Sequence, residues 1–127
     1  MMLVLDTNIM VAYLSGSKKA EEWLKAQGDE EIALPGLVML ELLAGCRDKA
    51  EIKRLSNHLM ERYRIIWPTN DDFTRALDHF IQAMPESGFS IMDLLIGETA
   101  AGLGVPIHTL NIKHMSSIPG VQTIAPY

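Results

Sequence analysis

Apolar positions in this chain follow two rhythms, short unbroken runs of three or four and longer stretches where they recur every third or fourth residue. The first suits buried strands, the second helices with one covered face. Residues 3–5 (Leu, Val, Leu) read as a buried strand, and a helix over 7–14 begins directly behind it, so Asp6 stands at the strand's carboxyl end. Ser17 is suited to N-cap a helix carrying Ala20, Trp23 and Leu24 and ending at Gly28, after which 32–34 forms a second strand. Past Pro35-Gly36, residues 37–44 are apolar all round except Glu41, too long for a comfortable strand, and read as a buried helix bearing that acid.

Ile52, Leu55, Leu59 and Met60 fit another helix, and 65–67 a third strand closed by Pro68. The clearest helix follows. Thr69 offers a cap with Asp72 three residues on, and Phe73, Ala76, Leu77, Phe80, Ile81 and Met84 recur at helical spacing until Pro85 and Gly88 end it. Ser90 opens a helix through 103, and 105–109 and 121–124 read as two last strands. Strands alternating with helices predict an α/β domain whose mainly parallel sheet is covered on both faces. Ligands of such sheets gather beyond the strands' carboxyl ends, where Asp6 lies and where helices opening after strands would bring Glu41 and Asp93.

Composition narrows the field. At 127 residues, 48% hydrophobic and 21% charged, the chain is expected to form one domain, residues 1–127, with no repeat or low-complexity segment. No run of about 18 apolar residues and no signal-peptide pattern is present, which predicts a cytosolic protein. The single cysteine, Cys46, has no partner for an internal disulfide and reads as a small packed residue. A net charge of −5 argues against holding nucleic acid by a broad cationic face. The middle is nonetheless locally basic: Arg47, Lys49, Lys53, Arg54, Arg62 and Arg64 accompany only Asp48, Glu51 and Glu61. It reads either as a solvated helix of mixed charge or as a patch touching a polyanion, with Arg47, Lys53 and Arg54 the candidates for contact with its backbone.

Three acids in apolar surroundings carry the chemistry. A carboxylate among hydrocarbon is costly unless its charge is compensated, and a cation held by converging acids is one of few compensators. Oxygen ligands without clustered thiols or imidazoles favour Mg²⁺ or Mn²⁺ over Zn²⁺, and His58, His79, His108 and His114 show no pairing such as HExxH. A hydrated cation on such a cluster can activate water and stabilise charge on phosphorus, which is how an acidic site cleaves a phosphodiester. Structural alternatives stand beside this. Asp6 can N-cap the helix at Thr7, Ser90 and Asp93 approximate a capping box, and Glu41 can pair with a buried arginine.

With these residues assembled, the chain resembles the PIN-domain ribonucleases, and most closely the VapC-like toxins of type II toxin-antitoxin pairs. The resemblance rests on L-V-L-D-T-N (3–8), V-M-L-E-L-L-A-G (38–45), S-I-M-D-L-L-I-G-E-T-A (90–100), T-L-N-I-K-H-M (109–115) and I-P-G-V (118–121), in that order over nearly the whole chain. It implies a three-layer α/β/α sandwich on a central sheet of about four to five strands. It further implies Mg²⁺ or Mn²⁺ on Asp6, Glu41 and Asp93, with Thr7 and Asn8 orienting the first carboxylate or its water. Its partners would be an RNA substrate, a cognate antitoxin and a second copy of the chain.

The chain departs from the family pattern near its end. Where many members carry a fourth acid it has Asn111 and His114, which can hydrogen-bond a metal-bound water but add no negative charge. Glu98 is five residues beyond Asp93, about 140° round an ideal helix, and is expected on a different face. Three functions therefore compete: a metal-dependent endoribonuclease acting as a toxin, a PIN-like binding or assembly module that has lost catalysis, and a phosphatase with Asp6 as nucleophile. The last lacks the second aspartate such enzymes place two residues on, because Asn8 stands there.

Overall fold

Leu3, Val4 and Leu5 lie on the central strand of a parallel sheet and are buried, as a continuous apolar run should be when helices cover both faces. The computed structural model describes residues 2–83 and 88–127. Within them the strands are β1 (Met2–Leu5), β2 (Glu31–Pro35), β3 (Arg64–Ile66), β4 (Ile107–His108) and β5 (Thr123–Ile124), ordered β3-β2-β1-β4-β5 and parallel throughout. The helices are α1 (Thr7–Leu14), α2 (Lys18–Ala26), α3 (Gly36–Ala44), α4 (Lys49–Arg62), α5 (Asn70–Ala83), α6 (Ile91–Gly102) and the short α7 (Ile112–Met115).

The connections explain the layers. From β1 the chain steps outward to β2 and β3, then crosses back to β4 on the other side of β1. With right-handed crossovers, α1 to α4 cover one face and α5 and α6 the other, giving a three-layer α/β/α sandwich. The strand order reverses between β1 and β4, and the crevice beyond their carboxyl ends is where such a sheet offers a ligand site. Ile9, Met10, Val38 and Leu59 fill the core from one side, and Leu94, Ile96, Met115 and Ile118 are also fully buried.

Local sequence accounts for the helix ends. The Ser17 hydroxyl accepts from the amide of Ala20 at the start of α2, and Gly28, at φ +61°, turns the chain out after it. Thr69 and Asp72 exchange two hydrogen bonds ahead of α5, and Ser90 and Asp93 do the same at α6.

Several expectations are corrected. The last two strands are two residues each: Val105, Pro106 and Thr109 fall outside β4, and Val121 and Gln122 outside β5, Pro106 having no N–H to donate to a ladder. Trp67, expected inside the third strand, stands just past it and is exposed. The apolar stripe of α5 is covered on one side only: Ala76 is buried, but Phe73, Leu77, Phe80 and Ile81 face out. Ile52 and Met60 of α4 are exposed as well, leaving Leu59 as its buried anchor. Met84 and Pro85 lie outside the described residues. No helix of the described residues is long and apolar enough to cross a membrane.

Candidate metal centre

Asp6 is the fixed point of the site. It ends β1 in an extended conformation and its backbone amide donates to the His108 carbonyl on β4 (2.9 Å). Only 4% of it is exposed. One carboxylate oxygen accepts from the amide of Thr7 at 2.7 Å and the other from the Thr109 hydroxyl at 2.8 Å. The cap reading of Asp6 is therefore realised, and it occupies only part of the carboxylate's capacity, since each oxygen has a further lone pair.

Thr109, fully buried at the end of β4, is the residue that sequence reasoning passed over. Its oxygen accepts from the Asn8 side-chain amide (3.2 Å) and the Asn111 backbone N–H (2.9 Å). With both acceptor positions taken, its one proton goes to Asp6. Asn8 closes the arrangement by accepting from the amide of Leu110 at 3.0 Å. The available hint was Thr109 opening the T-x-N motif, but a threonine at the end of an apolar run looks like a strand residue.

Glu41 corrects an expectation. It is exposed, because α3 runs along the rim of the sheet with Leu40, Glu41 and Ala44 facing out, and no arginine of the described residues pairs with it. The Thr7 hydroxyl donates to its Oε1 at 2.7 Å. Asp93, in the first turn of α6, is half-buried, and its capping box with Ser90 is formed. Of these three acids, the cost of a carboxylate in hydrocarbon thus falls on Asp6.

The three acids still meet. Asp6, Glu41 and Asp93 line one open concavity of about 320 Å³ together with Thr7, Asn8, Val11 and Asn111. Burial pushes the Asp6 carboxyl above its ordinary value of 3.8, the bonds from Thr109 and Thr7 oppose this, and the charges of Asp93 and Glu41 push it further up. A surplus of negative charge beside a buried carboxylate is what a cation would offset. Among the described residues no three acid, imidazole or thiol groups stand close enough to form a ready-made cage. The donors suit a hydrated Mg²⁺ or Mn²⁺, which takes one or two carboxylates and keeps several waters, and not a closed site.

The remaining candidates divide. Asn111 is on the wall, with its side-chain nitrogen 3.2 Å from His114 Nδ1; His114 stands behind it and does not line the concavity. Glu98 points away, as its helical angle predicts. It is 1% exposed and binds Arg75 Nε (2.9 Å) and His79 Nδ1 (2.7 Å) of α5. Arg47 pairs with Glu51, Lys53 is exposed, and Arg54 borders a larger groove of about 560 Å³ with Val11, Leu14, Leu42 and Leu55. Val11 belongs to both hollows, so the apolar groove adjoins the acidic one. Cys46 lies on that groove with its thiol pushed up by desolvation and by Glu51 and Asp48, which does not suit a nucleophile.

A five-stranded parallel sheet carrying acids at the rim of its reversal point defines a class, and the PIN-domain family model matches residues 3–116: the chain belongs to the PIN-domain family. Among its relatives, Ribonuclease VapC19 of Mycobacterium tuberculosis is 30% identical over 126 residues, spanning 95% of this chain and 98% of the relative. Among solved structures, VapBC2 from Rickettsia felis, bound to a DNA fragment from its promoter, superposes with a TM-score of 0.81 at 23% identity over 98% of both chains. DNA-bound VapBC from Salmonella typhimurium gives 0.82 at 15% identity over 100% of both.

Proposed function

We propose that this protein is a divalent-metal-dependent endoribonuclease acting in the cytosol as the toxin of a type II toxin-antitoxin pair. The observation that carries the reading is Asp6 itself, a buried carboxylate held by Thr109 and Thr7 on a concavity it shares with Glu41 and Asp93. The name of the VapC19 relative supports ribonuclease chemistry.

The residues divide the work. Asp6, Asp93 and Glu41 would hold Mg²⁺ or Mn²⁺, which when bound supplies an activated water and positive charge opposite the phosphate oxygens. Thr109 keeps Asp6 in one rotamer and the Thr7 hydroxyl restrains Glu41, so neither carboxylate must reorganise when substrate arrives. Asn111 offers an amide to a water or a phosphate oxygen without adding charge. The test is incubation of purified protein with total cellular RNA and Mg²⁺, beside chelator and Asp6→Asn controls, followed by sequencing of fragment ends. Discrete cuts lost in both controls establish the nuclease.

The partners follow from the same reading. The VapBC complexes among the structural neighbours favour an antitoxin here too, and the groove along Val11, Leu14, Leu42 and Leu55 would take an apolar helix face while a basic tail met the acids. A second copy of the chain is expected on the outward stripe of α5, where Phe73, Leu77, Phe80 and Ile91 border an apolar hollow of about 280 Å³. A second reading, a binding module without catalysis, is favoured by the neutral Asn111 in place of a fourth acid. Unchanged RNA after incubation with folded, antitoxin-free protein would support it.

A further inference from the structure

We propose that Trp67 is a stacking platform for an unpaired base of the RNA strand being cut, an inference that rests on the nuclease reading. Trp67 is among the largest apolar side chains of the chain, yet it is 53% exposed, and nothing in the core requires it. Its place is nonetheless built. A Cβ on Gly36 would fall inside the van der Waals shell of the six-membered ring, so the indole lies directly against the first residue of α3. Glycine weakens a helix and Gly36 has no positive φ to justify it; the space it leaves for the ring does. One side of a rigid aromatic is thereby fixed against the backbone and the rest stays in water.

The sheet register sets its distance from the chemistry. Val4 is paired with Ala33, which puts Asp6 level with Pro35, and Pro35 is paired with Ile66. Trp67 therefore stands one residue past the level of Asp6 and two strand spacings across the same rim, about 10 Å away. Gly36, on which it rests, opens the helix that carries Glu41. A strand whose phosphate lies over the acids would bring a neighbouring base within reach of the indole. Every base has a π-face, so this contact adds affinity for unpaired RNA without reading sequence, and it costs a protein of net charge −5 no cationic surface.

The experiment uses the full chain with Asp6→Asn to prevent cutting, and a short labelled single-stranded oligoribonucleotide in Mg²⁺. Anisotropy gives the affinity, and the protein's tryptophan emission reports contact, with a Trp67→Phe protein supplying the Trp23 background. Trp67→Leu, which keeps apolar bulk but has no π-face, is expected to weaken binding about 5- to 150-fold, while Trp67→Phe retains most of it. Melting temperature, sedimentation and the salt dependence of binding should be unchanged in both. RNA bound equally by Trp67→Leu, or tryptophan emission unmoved by RNA, overturns the inference and leaves the nuclease reading standing. No RNA bound by any variant, with neither binding nor cutting by the chain that keeps Asp6, overturns both, and a changed oligomeric state in Trp67→Leu assigns the ring to a protein interface instead.

Discussion

At the scale of the residue, the site turns on how Asp6 is held. Replacing Thr109 by Val removes the proton donated to Asp6 Oδ2 and leaves the Asn8 amide and the Asn111 N–H without their acceptor. Cleavage and Mn²⁺ affinity should each fall about 10- to 100-fold, and Thr109→Ser, which keeps the hydroxyl, should recover most of the loss. Calorimetric titration with Mn²⁺ separates this from a general loss of fold. The raised carboxyl of Asp6 makes a second prediction. Because its folded-state value lies above 3.8, ionised Asp6 opposes folding of the metal-free protein, and the stability linked to its proton is present below 3.8 and lost as pH rises through the raised value. A cation must displace that proton, so the rise in melting temperature produced by Mn²⁺ should be largest near neutral pH and shrink as the pH falls into that window. A rise that does not shrink as the pH is lowered from 7.5 toward the acid limit of the fold would show that Asp6 is not a ligand.

Elements differ in how openly their sequence announced them. The cap at Ser17 and the capping box of Ser90 with Asp93 were legible because a hydroxyl three residues before its partner leaves little else for those amides to bond. Ser90→Ala should cost about 0.5–2 kcal/mol in urea denaturation, and it should lower Mn²⁺ affinity too, because the first turn of α6 carries Asp93. The exposure of Glu41 was hidden. An apolar run with one acid looks buried, and only the course of α3 along the rim turns one of its sides to water. Thr109 was hidden for the opposite reason, since its role depends on residues about a hundred positions away. The link between α5 and α6 could not be read either: Arg75 joins Asp72 to Glu98 across two helices, and Gly102 lets Asp72 approach. Glu98→Ala leaves Arg75 and His79 without their shared partner, and about 1–3 kcal/mol should be lost, toward the lower end because Arg75 is 40% exposed.

For the whole molecule, alternation of strand and helix was enough to give the parallel sheet, but not the order of its strands. That the chain returns across β1 between β3 and β4 is a long-range fact with no local trace, and it is what makes the rim beyond β1 a site. The outward stripe of α5 was legible as helical spacing but not as surface, because periodicity tells which residues share a face and not what covers it. If a second copy covers it, Leu77→Glu, at a position 57% exposed, should yield a folded monomer of half the sedimenting mass. An unchanged mass would place the dimer elsewhere or remove it.

The bond from Thr109 to Asp6 spans 103 positions of the chain. During synthesis at about 5–20 residues per second, roughly 5–20 s separate the appearance of the acid from that of the hydroxyl that fixes it. Through that interval Asp6 is a carboxylate on an unfinished sheet, lacking the β4 neighbour that receives its amide. On the nuclease reading, no fragment that stops short of residue 109 holds the finished acidic site, so the geometry that would cut RNA is withheld until that hydroxyl has been made.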